Sequence, residues 1–230
     1  MARRSTPRKP KLRPDPPLGP EDFDPAPPAE SGAVWDCVEG DADIVVPQHV
    51  PSWRVQESRL VGMDLSGRIL SGLTMRDTHL VRCNLSGTVM DSAVLERVAF
   101  TECRLTGAAL SGARLTDVLI TECAADLLSL RMATATTLLI EDSNLRGADL
   151  HEFTAGGSAL LGCDLTGSLL DGAHLEGTRL QRSTIAEISG SLALRGCVIG
   201  PDQQIAVGVA LLDALGIMVA DWDGAEKVRP

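Results

Sequence analysis

The chain has 230 residues, with 31 acidic and 21 basic side chains and a formal net charge of −10. Hydrophobic residues make up 44% of it, aromatic residues only 3%, and tyrosine is absent. No apolar stretch reaches the roughly 18 residues of a membrane-spanning helix, which excludes a membrane segment and favours a cytoplasmic protein.

Residues 1–30 hold most of the 13 prolines and show no periodic apolar pattern, which predicts a disordered tail. The basic residues come first, between Arg3 and Arg13, and no apolar segment follows Arg3-Arg4, so a secretory signal is not expected. Two interpretations stay open: a solubility or linker segment, or a weak attachment to DNA, RNA or another polyanion. Beyond such an attachment we expect no direct nucleic-acid binding.

Residues 31–57 are acidic, with five carboxylates against the single basic residue Arg54, and they contain Trp35 and Trp53. They lack the regular pattern that begins after them. We interpret them as an irregular N-terminal cap.

From Leu60 to Ile185 every fifth residue is apolar, without exception over 26 positions, of which 17 are leucine. A helix has an apolar period near 3.6 and a strand a period of 2, so the repeat itself must define the fold. The residue two places before each central position is mostly small, and the residue two places after it is often glycine. This unit predicts a short extended piece with two inward side chains, followed by a turn.

A turn every five residues closes a square after four units, which predicts a coil of 20 residues. A column of small residues supports this period, because its members are spaced by 20: Cys83, Cys103, Cys123, Ser143 and Cys163. We expect these cysteines to be buried free thiols, although stacked coils would also allow disulfides.

Several segments match the pattern A(D/N)LxG, including Asn84–Gly87, Asp164–Gly167 and Ala173–Gly177. In this pattern the chain resembles the pentapeptide-repeat proteins over about residues 58–200. The resemblance implies an all-β fold, a right-handed quadrilateral parallel β-helix. It also implies a possible activity, since the family includes proteins that bind DNA gyrase by mimicking duplex DNA. This chain differs from them in preferring leucine to phenylalanine at the central position.

Residues 201–230 predict a C-terminal α-helical cap, because Pro201-Asp202 is typical of a helix start. We expect a packing stripe of apolar residues spaced by three or four: Ile205, Val209, Leu212, Leu215 and Met218. The segment 202–220 is apolar elsewhere too, which predicts a second partner surface. We therefore expect an end-to-end homodimer through this helix, with Leu211 and Ile217 in the contact.

The sequence contains no motif of a known catalytic, metal or cofactor site. The four histidines are isolated, and the glycines follow the turn period, so they are interpreted as corners and not as a phosphate-binding loop. We expect no enzymatic activity, no metal and no cofactor.

Two surfaces of the repeat are candidates for a protein partner. Glu102, Glu122 and Asp142 are spaced by 20 and should stack on one corner, either as a solvated edge or as a stripe that imitates phosphates. Leu119 and Leu139 should stack as outward side chains on one face and form an apolar patch. These features favour a non-enzymatic scaffold that binds another protein. A DNA gyrase modulator and a purely structural, self-associating protein are the alternatives.

Overall fold

The computed structural model describes residues 23–220 of the chain as short parallel strands closed at the C-terminal end by one α-helix. The strands are β1 Asp24–Pro25, β2 Val34–Asp36, β3 Val38–Gly40, β4 Arg54–Gln56, β5 Arg59–Val61, β6 Thr74–Val81, β7 Val94–Thr101, β8 Arg114–Thr121, β9 Thr134–Glu141, β10 Thr154–Gly156 and β11 Ala159–Leu161. Two 3-10 turns, Ser191–Leu194 and Pro201–Gln203, precede the helix α1, Gln204–Ala214. The fold is therefore all-β in its body, with a helical C-terminal end.

Each coil pairs with the next through residues 20 positions apart. The central residues Met75, Leu95 and Leu115 of β6, β7 and β8 are direct partners. The other faces are joined by isolated bridges with the same spacing, such as the one from Asp64 to Asn84. This confirms the predicted 20-residue coil and the four-sided parallel β-helix, whose coils lie about 4.8 Å apart.

The core is one continuous column inside the helix. All 26 central residues from Leu60 to Ile185 are buried, as the period of five predicts. The small residues two places earlier also point inward, and where they are polar they bond the preceding coil. The Thr88 hydroxyl donates to the Leu65 carbonyl at 2.7 Å, and the Thr178 hydroxyl to the Ala155 carbonyl at 2.9 Å. A buried hydroxyl is thus tolerated because it has a partner.

Paired coils begin earlier in the chain than residue 58. β2 pairs with β4 at the same spacing of 20, and Trp35 and Trp53 pack edge to face inside, with ring centroids 4.8 Å apart. The two indoles fill the interior at this end, where the regular pattern of leucines and small residues fails. Of the tail expected to be disordered, residues 1–22 lie outside the described residues, and β1 pairs with β3.

The helix α1 packs with a different side from the predicted stripe. Val207 is buried and Leu211 contacts the core, whereas Ile205 is 82% exposed and Val209 is 62% exposed. The predicted stripe is therefore wrong. The helix is apolar all round, so its own periodicity could not decide which side faces the last coil; contacts of the residues before it decide instead.

The predicted helix over 202–220 is also too long, since α1 ends at Ala214. Gly216 has a φ of +66°, its amide donates to the Asp213 carbonyl, and the Ile217 amide donates to the Leu212 carbonyl. These two bonds form a glycine-terminated helix end, which places Ile217 beyond the helix.

Candidate protein-binding surface

The three predicted acidic residues do come together. Glu102, Glu122 and Asp142 are exposed, stand one above another at the same corner, and have positive φ values of 53°, 55° and 48°. Their amides donate to the next coil at 3.0, 3.1 and 2.9 Å, so the backbone under each carboxylate is held by the ladder. We call these three residues the acidic corner.

Arginines border the acidic corner at both ends. Arg82 occupies the same position one coil before Glu102. At the other end Arg182 lies 3.5 Å from Glu141 and 3.9 Å from Asp142, reaching past Gly162. A Cβ atom on Gly162 would overlap the Asp142 carboxylate, so the glycine leaves room for this ion pair. The stripe is thus three carboxylates long, with one charge per coil spacing of about 4.8 Å against one per about 1.7 Å of duplex DNA.

The face beside the acidic corner carries the predicted leucines. We call this the column face; its outward column consists of His79, Ala99, Leu119, Leu139 and Ala159, which are paired from coil to coil. Leu119 is partly exposed, but Leu139 is only 2% exposed. Leu139 is therefore not part of an exposed patch, contrary to what its outward register predicts.

The opposite edge of the column face holds a charged network that the sequence analysis missed. Arg97 makes a bidentate pair with Asp77, with distances of 2.6 and 2.7 Å, and also contacts Glu96 at 2.5 Å. Asp77 is buried, so this pair ties two successive coils together. The spacing of 20 between Asp77 and Arg97 was the available signal, because opposite charges at that spacing stack directly.

The predicted cysteine column is buried and its thiols are free. Cys83, Cys103, Cys123 and Cys163 each donate a hydrogen bond from Sγ to the carbonyl of the residue 23 positions earlier, at 3.4 to 3.6 Å. Burial raises the pKa of the Cys163 thiol to about 11. The column therefore acts as small apolar packing rather than as a set of reactive thiolates.

This shift predicts a loss of stability at alkaline pH. The thiol ionises near pH 8.5 in the unfolded chain but only near pH 11 in the folded one. The contribution is complete below about pH 8.5 and is lost as the pH rises toward 11, on the order of 2 kcal/mol for this residue. Urea unfolding between pH 8 and 11 checks this against Cys163→Ser, which should flatten the decline because serine already occupies the column at 143 and 183. Equal declines in both proteins would contradict it.

Residues with catalytic or metal-binding chemistry are scattered over the surface. His49 and His174 are exposed, and His79 contacts the Thr101 hydroxyl at 3.0 Å. Within residues 23–220 one group could offer three ligands to a metal, Asp36, Cys37 and Glu57, and it lies at the surface. That group is not set in a pocket, so it carries no assignment. In the same range none of the helices is long and apolar enough to cross a membrane.

The residues predicted for dimerisation differ in their surroundings. Leu211 is half-buried against the protein's own core, whereas Ile217 is exposed. The exposed apolar surface of this end also includes Ile205, Val209 and Met218. The C-terminal end therefore presents an apolar surface, but Leu211 is not central to it.

Comparisons with known proteins give the following matches. A family model described as "Pentapeptide repeat region" matches residues 54–130, and one described as "Pentapeptide repeats (8 copies)" matches residues 143–185. Together the two matches span more than half of the chain. No curated protein matches the chain in sequence.

Solved structures with a similar chain path include other repeat proteins. A trypsin-treated variant of QnrB1, a plasmid-mediated fluoroquinolone resistance protein, matches at 20% identity over 82% of this chain and 100% of that chain, with a TM-score of 0.38. HetL, involved in heterocyst differentiation regulation in the cyanobacterium Nostoc sp. strain PCC 7120, matches at 19% identity over 73% and 81%, with a TM-score of 0.28. Rfr23 from the cyanobacterium Cyanothece 51142 matches at 20% identity over 74% and 90%, with a TM-score of 0.17.

Proposed function

The chain belongs to the pentapeptide-repeat family, and from that premise we propose that it is a non-enzymatic scaffold that binds another protein through the acidic corner. The observation that carries this proposal is the row of three exposed carboxylates, Glu102, Glu122 and Asp142, fixed at one corner by the coil ladder. A row held by backbone bonds presents its charges without any ordering of a loop. Binding through such a pre-organised surface avoids much of the entropy cost that a flexible site incurs.

The repeat also explains why the surface, and not the interior, is the place of action. The inside of the coils is filled by leucine and small side chains, as at Leu110 and Ala113. Side chains that point outward make no contribution to this core and are free to vary in charge. A partner therefore recognises a corner or a face of the helix, and complementary charge sets its orientation and its rate of association.

The test compares three forms of the protein as baits in an extract of the source cell. The first is the wild type, and the second carries Glu102→Gln, Glu122→Gln and Asp142→Asn. A matched control removes three exposed carboxylates at other positions and makes the same change of net charge: Glu152→Gln, Glu176→Gln and Glu187→Gln. We expect a protein that the wild type and the control retain and that the corner variant retains at least fivefold less. Identical sets of proteins on all three baits would contradict the proposal.

A second candidate function is modulation of DNA gyrase by mimicry of duplex DNA. The linear arrangement of the acidic corner favours it, together with the family resemblance described above. The wide charge spacing and the bordering residues Arg82 and Arg182 weaken it, because they dilute the negative stripe.

Purified gyrase tests this candidate directly. If the acidic corner imitates phosphates, the wild-type protein inhibits supercoiling, and the variant with Glu102→Gln, Glu122→Gln and Asp142→Asn inhibits at least fivefold less. Added salt should weaken inhibition by the wild type, since exposed charges are screened within about 10 Å at 0.1 M ionic strength. A folded wild-type protein that leaves supercoiling unchanged at a large excess over the enzyme would eliminate this candidate.

Self-association through the C-terminal end is a third proposal, supported by the exposed side chains of Ile205 and Val209. We expect an elongated dimer that Ile205→Glu with Val209→Glu converts into a folded monomer, and that Ile217→Glu weakens. Leu211→Glu should instead destabilise the cap itself, because that side chain packs on the core. Sedimentation velocity at tens of micromolar protein distinguishes these outcomes. A wild-type monomer at that concentration would contradict the dimer.

A further inference from the structure

The column face is buried where it should be exposed. Ala99 and Leu139 are 2% exposed and Ala159 is 1% exposed, although all three point away from the core. In the coils that the structure describes, no side chain at the corresponding outward position of the other three faces is buried. This difference sets one face of the helix apart from the rest.

Neighbouring coils do not account for the burial. Ala124 has the same outward position on the next face, between Arg104 and Asn144, and it is exposed. Ala99 lies between His79 and Leu119 in the same manner. An alanine side chain flanked by two large residues thus remains open on one face and is closed on the other. A further part of the protein must cover the column face.

We propose that the N-terminal segment, residues 1–22, lies along the column face as an internal ligand. The first argument is position. β1 at Asp24–Pro25 pairs with β3, β3 pairs with β5, and β5 pairs with the second half of β6. β1 is therefore the first rung of the column face, and the residues before it begin at the edge of that face.

The second argument is length. Six coil spacings separate β1 from the rung of Leu139, a distance of about 29 Å at about 4.8 Å per coil. A proline-rich segment in the polyproline conformation extends by about 3.1 Å per residue, so roughly ten residues reach that rung. Residues 1–22 are more than sufficient. They also need no strand pairing, because the backbone groups of the face already bond the adjacent coils.

The third argument is the order of charges. Counting back from β1, the segment is first acidic, at Glu21-Asp22 and Asp15, and then basic from Arg13 to Arg3. The column face has the opposite order. Arg59 and Arg82 lie near its first coils, and Glu141 and the acidic corner lie further along. An extended segment therefore brings opposite charges together along its whole length, which favours this direction of docking.

The other candidate occupant is the C-terminal segment, residues 221–230. It follows α1, which covers the opposite end of the helix, and it carries three acidic and two basic residues. It lacks the run of positive charge that matches the acidic corner. We therefore assign the face to residues 1–22. This occupant would compete with any partner of the acidic corner, although the inference rests on the buried column and not on the proposed function.

The test measures how fast a thiol on the column face reacts. A Leu139→Cys variant is treated with a maleimide, and labelling is followed peptide by peptide by mass spectrometry, so that Cys37 and Cys197 are counted separately. The same variant is prepared in the full chain, without residues 2–22, and without residues 221–230. Ala124→Cys on the adjacent face is the matched control. Thermal melts show that each variant is folded, and Ala159→Cys replaces Leu139→Cys if that variant is not.

We expect labelling at position 139 to be at least tenfold slower in the full chain than without residues 2–22. Removal of residues 221–230 should leave it slow, and the control should react rapidly in all three forms. A synthetic peptide of residues 1–22 should restore protection to the shortened chain. The same peptide with Arg8, Lys9, Lys11 and Arg13 changed to Glu should not. Slow labelling without residues 2–22, fast labelling of the full chain, or release only on removal of residues 221–230 would each overturn the proposal.

Discussion

Replacing Ala125 by aspartate should unfold the coils around it. Ala125 is a central residue with no exposed surface, and its column neighbours are Leu105 and Leu145. The new carboxylate would be buried without a partner, which costs several kcal/mol, and its added volume costs about 1–3 kcal/mol more. That sum approaches the whole stability of an ordinary domain, about 5–15 kcal/mol. Because each coil contacts only its neighbours, the loss should begin in the coils next to the change.

The chain offers a matched control one residue away. Ala124 is exposed and stands beside Arg104, so Ala124→Asp should change the free energy of unfolding by less than about 0.5 kcal/mol. Urea unfolding followed by circular dichroism compares the two variants directly. Similar destabilisation of both would mean that the inward and outward positions of the repeat have been assigned incorrectly.

Replacing Gln203 by alanine should detach the C-terminal cap. Gln203 is buried, and its amide nitrogen donates to the carbonyls of Leu180 at 2.7 Å and Ser183 at 2.5 Å, while its Oε1 accepts from the Gly200 amide at 2.7 Å. Three buried backbone groups would lose their partner. Since each unsatisfied group costs about 1–3 kcal/mol, we expect a total loss of roughly 2–4 kcal/mol.

The adjacent Gln204 provides the comparison, because it is the same residue type and is exposed. Gln204→Ala should be neutral or slightly stabilising, since alanine favours the helix that begins there. Denaturant midpoints measure both changes, and an increased tendency to aggregate is expected only for Gln203→Ala, which opens the edge of the last coil. If both variants keep the wild-type midpoint, the cap is not held by Gln203.

The bonds of Gln203 also show how the cap continues the repeat. Its amide nitrogen reaches the carbonyl 23 residues earlier, as the Thr88 and Thr178 hydroxyls do within the coils. Gln203 is 20 residues after Ser183, so it fills the next inward position of that column. The period of 20 therefore extends one step beyond the last regular coil, a point that the fading leucine pattern did not reveal.

Corners were predicted only in part. The glycines two places after a central residue mark the left-handed turn, and Gly112 has a φ of +65°. In the same column Met132 adopts a φ of +55°, and Leu127 at another corner has a φ of +58°. The ladder on both sides imposes the turn even where the residue does not favour it. Glycine frequency alone would therefore have missed these corners.

The sequence by itself determined the repeat: its period of five, its coil of 20, the buried central residues and the stacking of Glu102, Glu122 and Asp142. These features follow from the sequence because every unit has the same short local geometry and its neighbour in space is always 20 residues away. Only the tertiary structure decided the packing of Trp35 against Trp53, the side of α1 that faces the core and the burial of Leu139. Those contacts join segments with no fixed spacing along the chain, or involve a helix that is apolar all round, so no periodic pattern specifies them.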